Sequence, residues 1–132
     1  MSPTLLTQFQ TTIDGLYFPS ETDYPFEVVL WQGEDAPTVD ELLEQTEHAQ
    51  DSPVKTIELR EFFSSALQAQ DWHGEEEQAT VQRFHNLVEL IEQTLSEVKI
   101  YQVGTIEIDV YIVGFDEQSS NWIILTTKMV ET

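Results

Sequence analysis

Apolar residues open the chain at Leu5, Leu6, Phe9 and Ile13, the three-and-four spacing of one helical face. Ser2-Pro3 suits the start of that helix, with Ser as N-cap and Pro in the first turn, and Asp14-Gly15 suits its end. Phe26 to Trp31 is an almost unbroken apolar run with β-branched residues, which predicts a strand buried on at least one side. Gln32 to Pro37 reads as a turn. Thr38 to Glu41 has the form of a capping box and predicts a short acidic helix from Val39 to about Glu47. Val54 to Leu59 predicts a second strand with Ile57 and Leu59 on one face, and Glu61 to Leu67 a short helix. The longest helix is expected from Glu75 to about Leu95, with Val81, Phe84, Val88, Ile91 and Leu95 as its apolar stripe. Glu75, Glu76 and Glu77 fall in its first turn, where the helix dipole favours anions.

Period-two patterning takes over after that helix. Lys99 to Val103, Thr105 to Val113 and Trp122 to Val130 read as strands. Ile106, Ile108, Val110 and Ile112 alternate with Glu107, Asp109 and Tyr111, so one face is buried and the other is wet or covered by another element. Gly114 to Asn121 is a polar connection. Helices interspersed with strands, then a closing run of strands, predict an α+β fold with helices packed on a mainly antiparallel sheet. At 132 residues a single domain, 1–132, is expected.

Charge changes this picture most. Twenty-five Asp and Glu against five Lys and Arg give a formal net charge of −20, while three Trp and seven Phe supply a real core and exclude a disordered acidic chain. Such a surface repels nucleic acid and anionic membranes and steers the protein toward basic partners. The plainer reading is that the acidity only aids solubility. With no cysteine, disulfides and thiol catalysis are excluded. Met1-Ser2-Pro3-Thr4 lacks the basic start and long apolar run of a signal peptide, and no segment approaches a membrane span, so a cytoplasmic protein is expected.

Enzymatic signals are weak. His48, His73 and His85 are dispersed, and the sequence has no His-Glu-x-x-His helix, phosphate loop or nucleophile elbow. With so many carboxylates, chance acid pairs carry little information. The distinctive stretch is Leu16 to Glu27. Pro19 and Pro25 stiffen its backbone and push Phe18 and Tyr24 toward extended conformations. Tyr17, Phe18, Tyr24 and Phe26 flank Ser20, Glu21, Thr22 and Asp23, which predicts a stiff loop anchored by buried rings and presenting carboxylates outward. A stiff loop loses little entropy on binding. Trp72 stands in the polar stretch Gln70-Asp71-Trp72-His73-Gly74. It is either one more buried Trp or an interface anchor. Trp31 and Trp122 lie in strand patterns and are expected in the core or on a sheet face.

Ser20-Glu21-Thr22-Asp23-Tyr24-Pro25-Phe26-Glu27-Val28 resembles the signature loop of the nuclease A inhibitor family. Those are small acidic proteins that block sugar-non-specific, metal-dependent endonucleases. The similarity continues through Leu30-Trp31, Gln50 to Pro53, Gln70 to Trp72, Gly104 to Val113 and Thr127 to Thr132, in order along the chain. It implies a three-layer α/β/α sandwich and an inhibitor rather than an enzyme. The expected partner is a sugar-non-specific endonuclease bound one to one by a free monomer, with no nucleic acid and no membrane. No cofactor of its own is implied; the magnesium belongs to the target. Glu21 would reach toward that magnesium through a bridging water, Thr132 would enter the nuclease site and engage the metal, and Trp72 would anchor the interface. On their charge alone Asp23 and Glu27 could assist electrostatically; the resemblance does not by itself make them contacts. Hard divalent cations prefer oxygen ligands, which suits these roles chemically. A strand ending near Val130 would hold the last residue, Thr132, close to the sheet's edge. The alternative is an acidic interaction domain, or a DNA mimic, that binds another basic protein.

Overall fold

The computed structural model describes residues 5–18, 24–31, 35, 37–46, 48, 52–64, 67, 74–117 and 120–130. Helix α1 (Leu5–Ile13) buries Phe9 and Ile13, and it ends where Gly15 takes φ +71° and the Leu16 N–H bonds back to the Ile13 carbonyl at 2.9 Å. Strands β1 (Tyr17–Phe18) and β2 (Tyr24–Pro25) pair antiparallel, Tyr17 with Pro25 and Phe18 with Tyr24. The expected loop stems are thus a two-stranded ribbon. Only part of the expected ring anchoring holds: Phe26 is buried, but Tyr17 is 51% exposed and points away from the core.

Strand β3 (Glu27–Trp31) follows, then helix α2 (Val39–Gln45). The capping box is made: the Thr38 hydroxyl accepts from the Glu41 N–H at 3.1 Å and Glu41 Oε1 accepts from the Thr38 N–H at 3.4 Å. Strand β4 (Val54–Ile57) stops two residues short of Leu59, which opens helix α3 (Leu59–Phe62) instead of extending the strand. The expected helix over 61–67 therefore starts earlier and ends earlier. Both Ile57 and Leu59 still pack on the same core, so their shared face survives the change of element. Helix α4 (Glu75–Thr94) buries Phe84, Leu87, Val88 and Ile91.

Three long strands close the chain: β5 (Ser96–Val103), β6 (Glu107–Asp116) and β7 (Asn121–Val130). With β3 and β4 they form a five-stranded sheet in the order β3-β7-β6-β5-β4, antiparallel at every pairing. This is the α+β class. β5 begins before Lys99 because its pairing slips between Ser96 and Lys99, where Glu97 takes φ +51° and interrupts the alternation. Gly114 is not the start of the connection but a strand residue. A Cβ there would lie 2.7 Å from the Leu95 side chain, so its glycine lets the end of α4 settle on the sheet. Ile106 is 58% exposed in the bend ahead of β6, and the buried series starts at Ile108.

Both faces of the central strands are apolar. Ile108, Val110, Ile112, Ile123 and Leu125 join Phe9, Phe84 and Ile91 of α1 and α4 in one core. Tyr101, Tyr111, Val113, Trp122 and Ile124 join Leu42 and Leu43 of α2 in another. This explains why Tyr111, in the polar half of the alternation, is buried. Trp122 is buried as expected and Trp31 half-buried, while the edge position of β3 leaves Val29 and Leu30 exposed. Among the described residues no helix is long and apolar enough to cross a membrane.

Gly104 sits between β5 and β6 with φ +116°, and a Cβ there would collide with the Glu107 carbonyl. Gly104→Ala therefore meets backbone strain and a clash with rigid main chain, and it should lower stability by about 1–3 kcal/mol. Urea denaturation reads this directly; an unchanged midpoint would mean that the turn relaxes around the methyl.

Candidate functional site

Of the five residues nominated for partner binding, Glu27 lies among the described residues. Glu21, Asp23, Trp72 and Thr132 lie outside them. The stems of their segments are described, and two of them, the ribbon and the closing half of β7, lie together. Glu27 opens β3 opposite Thr126, so β2 and the ribbon it forms with β1 sit near the closing half of β7. Residues 19–23 connect the two ribbon strands, and residues 131–132 follow Val130 of β7. Thr127 ties the two together: its hydroxyl lies 3.1 Å from the Pro25 carbonyl oxygen and 3.4 Å from that of Tyr24.

The segment carrying Trp72 precedes helix α4 in the chain. Phe26, just after the ribbon, lies with its ring centroid 6.2 Å from Phe63 and 6.2 Å from Phe84 of α4. Helix α4 begins nine residues before Phe84, about 14 Å along its axis. Its other end delivers Leu95 to Gly114 at the far end of the sheet, so its start points to the ribbon end. Residues 68–73 run between Leu67, whose carbonyl lies 2.9 Å from His85 Nε2, and Gly74, the N-cap of α4. Arg83 binds the Thr12 and Asp14 carbonyls at 3.1 and 2.5 Å, fixing α4 against the end of α1. Arg60 holds Glu92 through Nε at 3.1 Å and Nη2 at 2.6 Å, which joins α3 to α4 and holds the Arg60 pKa above its ordinary value.

On the α2 face, the same end of the sheet carries a concavity of about 390 Å³ bounded by Tyr24, Glu27, Asp109, Tyr111, Thr126 and Lys128. His48 closes one side. Its Nε2 lies 2.9 Å from Asp109 Oδ2 and 3.0 Å from Tyr111 Oη. A carboxylate only accepts, so Nε2 carries the proton directed at Asp109. Lys128 Nζ approaches the other Asp109 oxygen at 3.8 Å. Burial pushes the Tyr111 phenol above its ordinary pKa; a hydrogen bond to Thr46 works against this and the Asp109 charge adds to it. Glu27 is the exposed carboxylate of the lining.

Sequence reasoning did not nominate His48, Asp109, Tyr111 or Thr127. His48 and Tyr111 are 63 positions apart, which no local pattern reports. The signal for Asp109 and Tyr111 was their shared parity on one strand. Among the described residues, no group of three or more His, Cys, Asp or Glu side chains could hold a metal ion.

The molecule is thus an acidic α+β protein in which the stems of the ribbon connection and the closing half of β7 meet at one end of an antiparallel sheet. Residues 3–132 match the model of the nuclease A inhibitor-like protein family, and the chain belongs to that family. No curated protein matched the chain.

Proposed function

We propose that this protein inhibits a sugar-non-specific, metal-dependent endonuclease by occupying its basic active-site cleft, one inhibitor to one enzyme. The observation that carries this reading is the family match over nearly the whole chain. The contact between the stem of the ribbon and the closing half of β7 supports a shared contact surface for Glu21 and Thr132. Glu21 and Thr132 approach the nuclease's magnesium, so that substrate phosphate and attacking water cannot take their places. Trp72 anchors the neighbouring interface, and Asp23 and Glu27 add negative potential. A net charge of −20 complements a cleft shaped for nucleic acid and accelerates the encounter. The protein brings no cofactor and performs no reaction; it acts in the cytoplasm as a monomer until it meets its target.

The test is titration of a magnesium-dependent, sugar-non-specific endonuclease acting on plasmid DNA. Inhibition should be stoichiometric and indifferent to excess magnesium. Association should slow as salt rises, because the attraction is screened over about 10 Å at 0.1 M. Relief by added magnesium would reduce the effect to chelation. Absence of inhibition, with capture of a different basic protein, would favour the acidic interaction domain instead.

A further inference from the structure

Thr127 and Asp116 are the two buried polar side chains among the described residues. Thr127 is 5% exposed and stands opposite Val110. It shares its face of β7 with Ile123, Leu125 and Met129, all in the apolar core. Valine has the same shape and would pack there without a polar atom, so packing alone does not call for a hydroxyl. The hydroxyl's partners explain it. The paired stretch of β3 against β7 begins at Glu27 and Thr126, and the strand before it contains Pro25, which has no N–H to donate. Where backbone pairing stops, Thr127 Oγ1 supplies the link, donating to the Pro25 carbonyl at 3.1 Å with the Tyr24 carbonyl at 3.4 Å.

We infer that Thr127 is a positioning residue: its hydroxyl seats the β1–β2 ribbon on β7 and so fixes the spacing between the two strand ends from which residues 19–23 and 131–132 depart. The functional half of this inference rests on the reading of Glu21 and Thr132 as contacts to one nuclease. If both must meet one metal centre, the distance between their stems matters more than the strength of either stem. A small shift in that spacing would break the joint approach, while the fold, held by two apolar cores, would survive.

The experiment compares Thr127→Val and Thr127→Ser in the full chain, alone and combined with Glu21→Gln. Inhibition of a magnesium-dependent endonuclease and amide hydrogen exchange of Tyr17, Phe18 and Tyr24 are read for each. Thr127→Val should weaken inhibition about tenfold or more and speed ribbon exchange by a similar factor, the scale of one lost hydrogen bond. Thr127→Ser, which keeps the hydroxyl and loses a methyl, should restore both to within about threefold. Glu21→Gln should cost less in the Thr127→Val background than in the native chain, because a misplaced contact has less to lose. Native-like inhibition and exchange by Thr127→Val would overturn the inference and leave the inhibitor reading standing. So would equal losses in the Val and Ser variants with strictly additive effects of Glu21→Gln, since that marks packing alone. If the native chain inhibits no nuclease, the inhibitor reading fails. Hydrogen exchange then decides the seating role by itself: faster ribbon exchange in the Val variant, restored in Ser, upholds it, and unchanged exchange overturns it.

Discussion

Glu21→Gln weakens inhibition of a magnesium-dependent endonuclease by about 30-fold or more, while the urea midpoint stays where it was. The amide keeps the shape and volume of the side chain and removes only its charge. If the carboxylate serves as a partner to a divalent cation, directly or through the cation's water, that charge is the whole of its value, because such ions select hard anionic oxygen. Truncating one member of a desolvated charge pair costs about 2–5 kcal/mol, which corresponds to roughly 30- to 5000-fold in affinity. Stability is spared because a chain of net charge −20 gains slightly from losing one negative charge. If Thr132 engages the same metal, removing it should give a loss of similar order. Glu27→Gln supplies the contrast: Glu27 is exposed on β3 opposite Thr126, and a solvated rim charge should change affinity less than about fivefold and act mainly on the association rate. Equal inhibition constants for the native chain and Glu21→Gln would remove Glu21 from the metal-facing role. A Glu27→Gln loss as large as that of Glu21→Gln would mean that summed charge matters and not one placed carboxylate.

The parts of the fold that could be read from the sequence are those whose cause is local. Helix α1 ends at Asp14-Gly15, α2 begins on the Thr38–Glu41 box, and β7 closes at Val130, because capping and alternation need only neighbours along the chain. The misreadings have long-range causes. Gly114 looks like a turn residue and is a strand glycine because Leu95, nineteen positions earlier, leans on it. Leu59 looks like strand because its apolar side is right, yet the same side is met by a helical turn. Tyr111 falls in the polar half of the β6 alternation and is 7% exposed because α2 covers that face. The candidate site divides in the same way. Glu27 was nominated by its place in a recognisable stretch. Thr127 stands in the sequence only as part of a terminal pattern, and nothing around it reveals that its hydroxyl meets Tyr24 and Pro25, more than a hundred positions away. Family resemblance nominated contacts; only the folded chain reveals what holds their stems together.

Phe63→Ala should cost about 3–5 kcal/mol, the range for deleting a fully buried phenylalanine. Phe63 has no exposed surface. Its ring lies 4.9 Å from Phe62 at 80°, 6.0 Å from Phe84 at 45° and 6.2 Å from Phe26 at 25°, measured between centroids. Those neighbours belong to α3, to α4 and to the residue between β2 and β3, so one side chain joins three parts of the chain. Collapse of the rings into the space would have to shift these three parts of the chain, so the cavity term should add to the transfer term. A domain of this size is stable by about 5–15 kcal/mol, so the loss is about a fifth or more of the total and lowers the urea midpoint in proportion. Tyr17→Ala removes another aromatic near the same end, but one that is 51% exposed, and it should stay within about 0.5 kcal/mol. The contrast separates two accounts of this end of the molecule. If Phe63→Ala is costly and Tyr17→Ala is not, the ribbon is anchored from below, through Phe26 and the aromatic cluster. If the two cost the same, the ribbon is held by its own pairing and by β7, and it owes its placement to the sheet and not to the helix-side core.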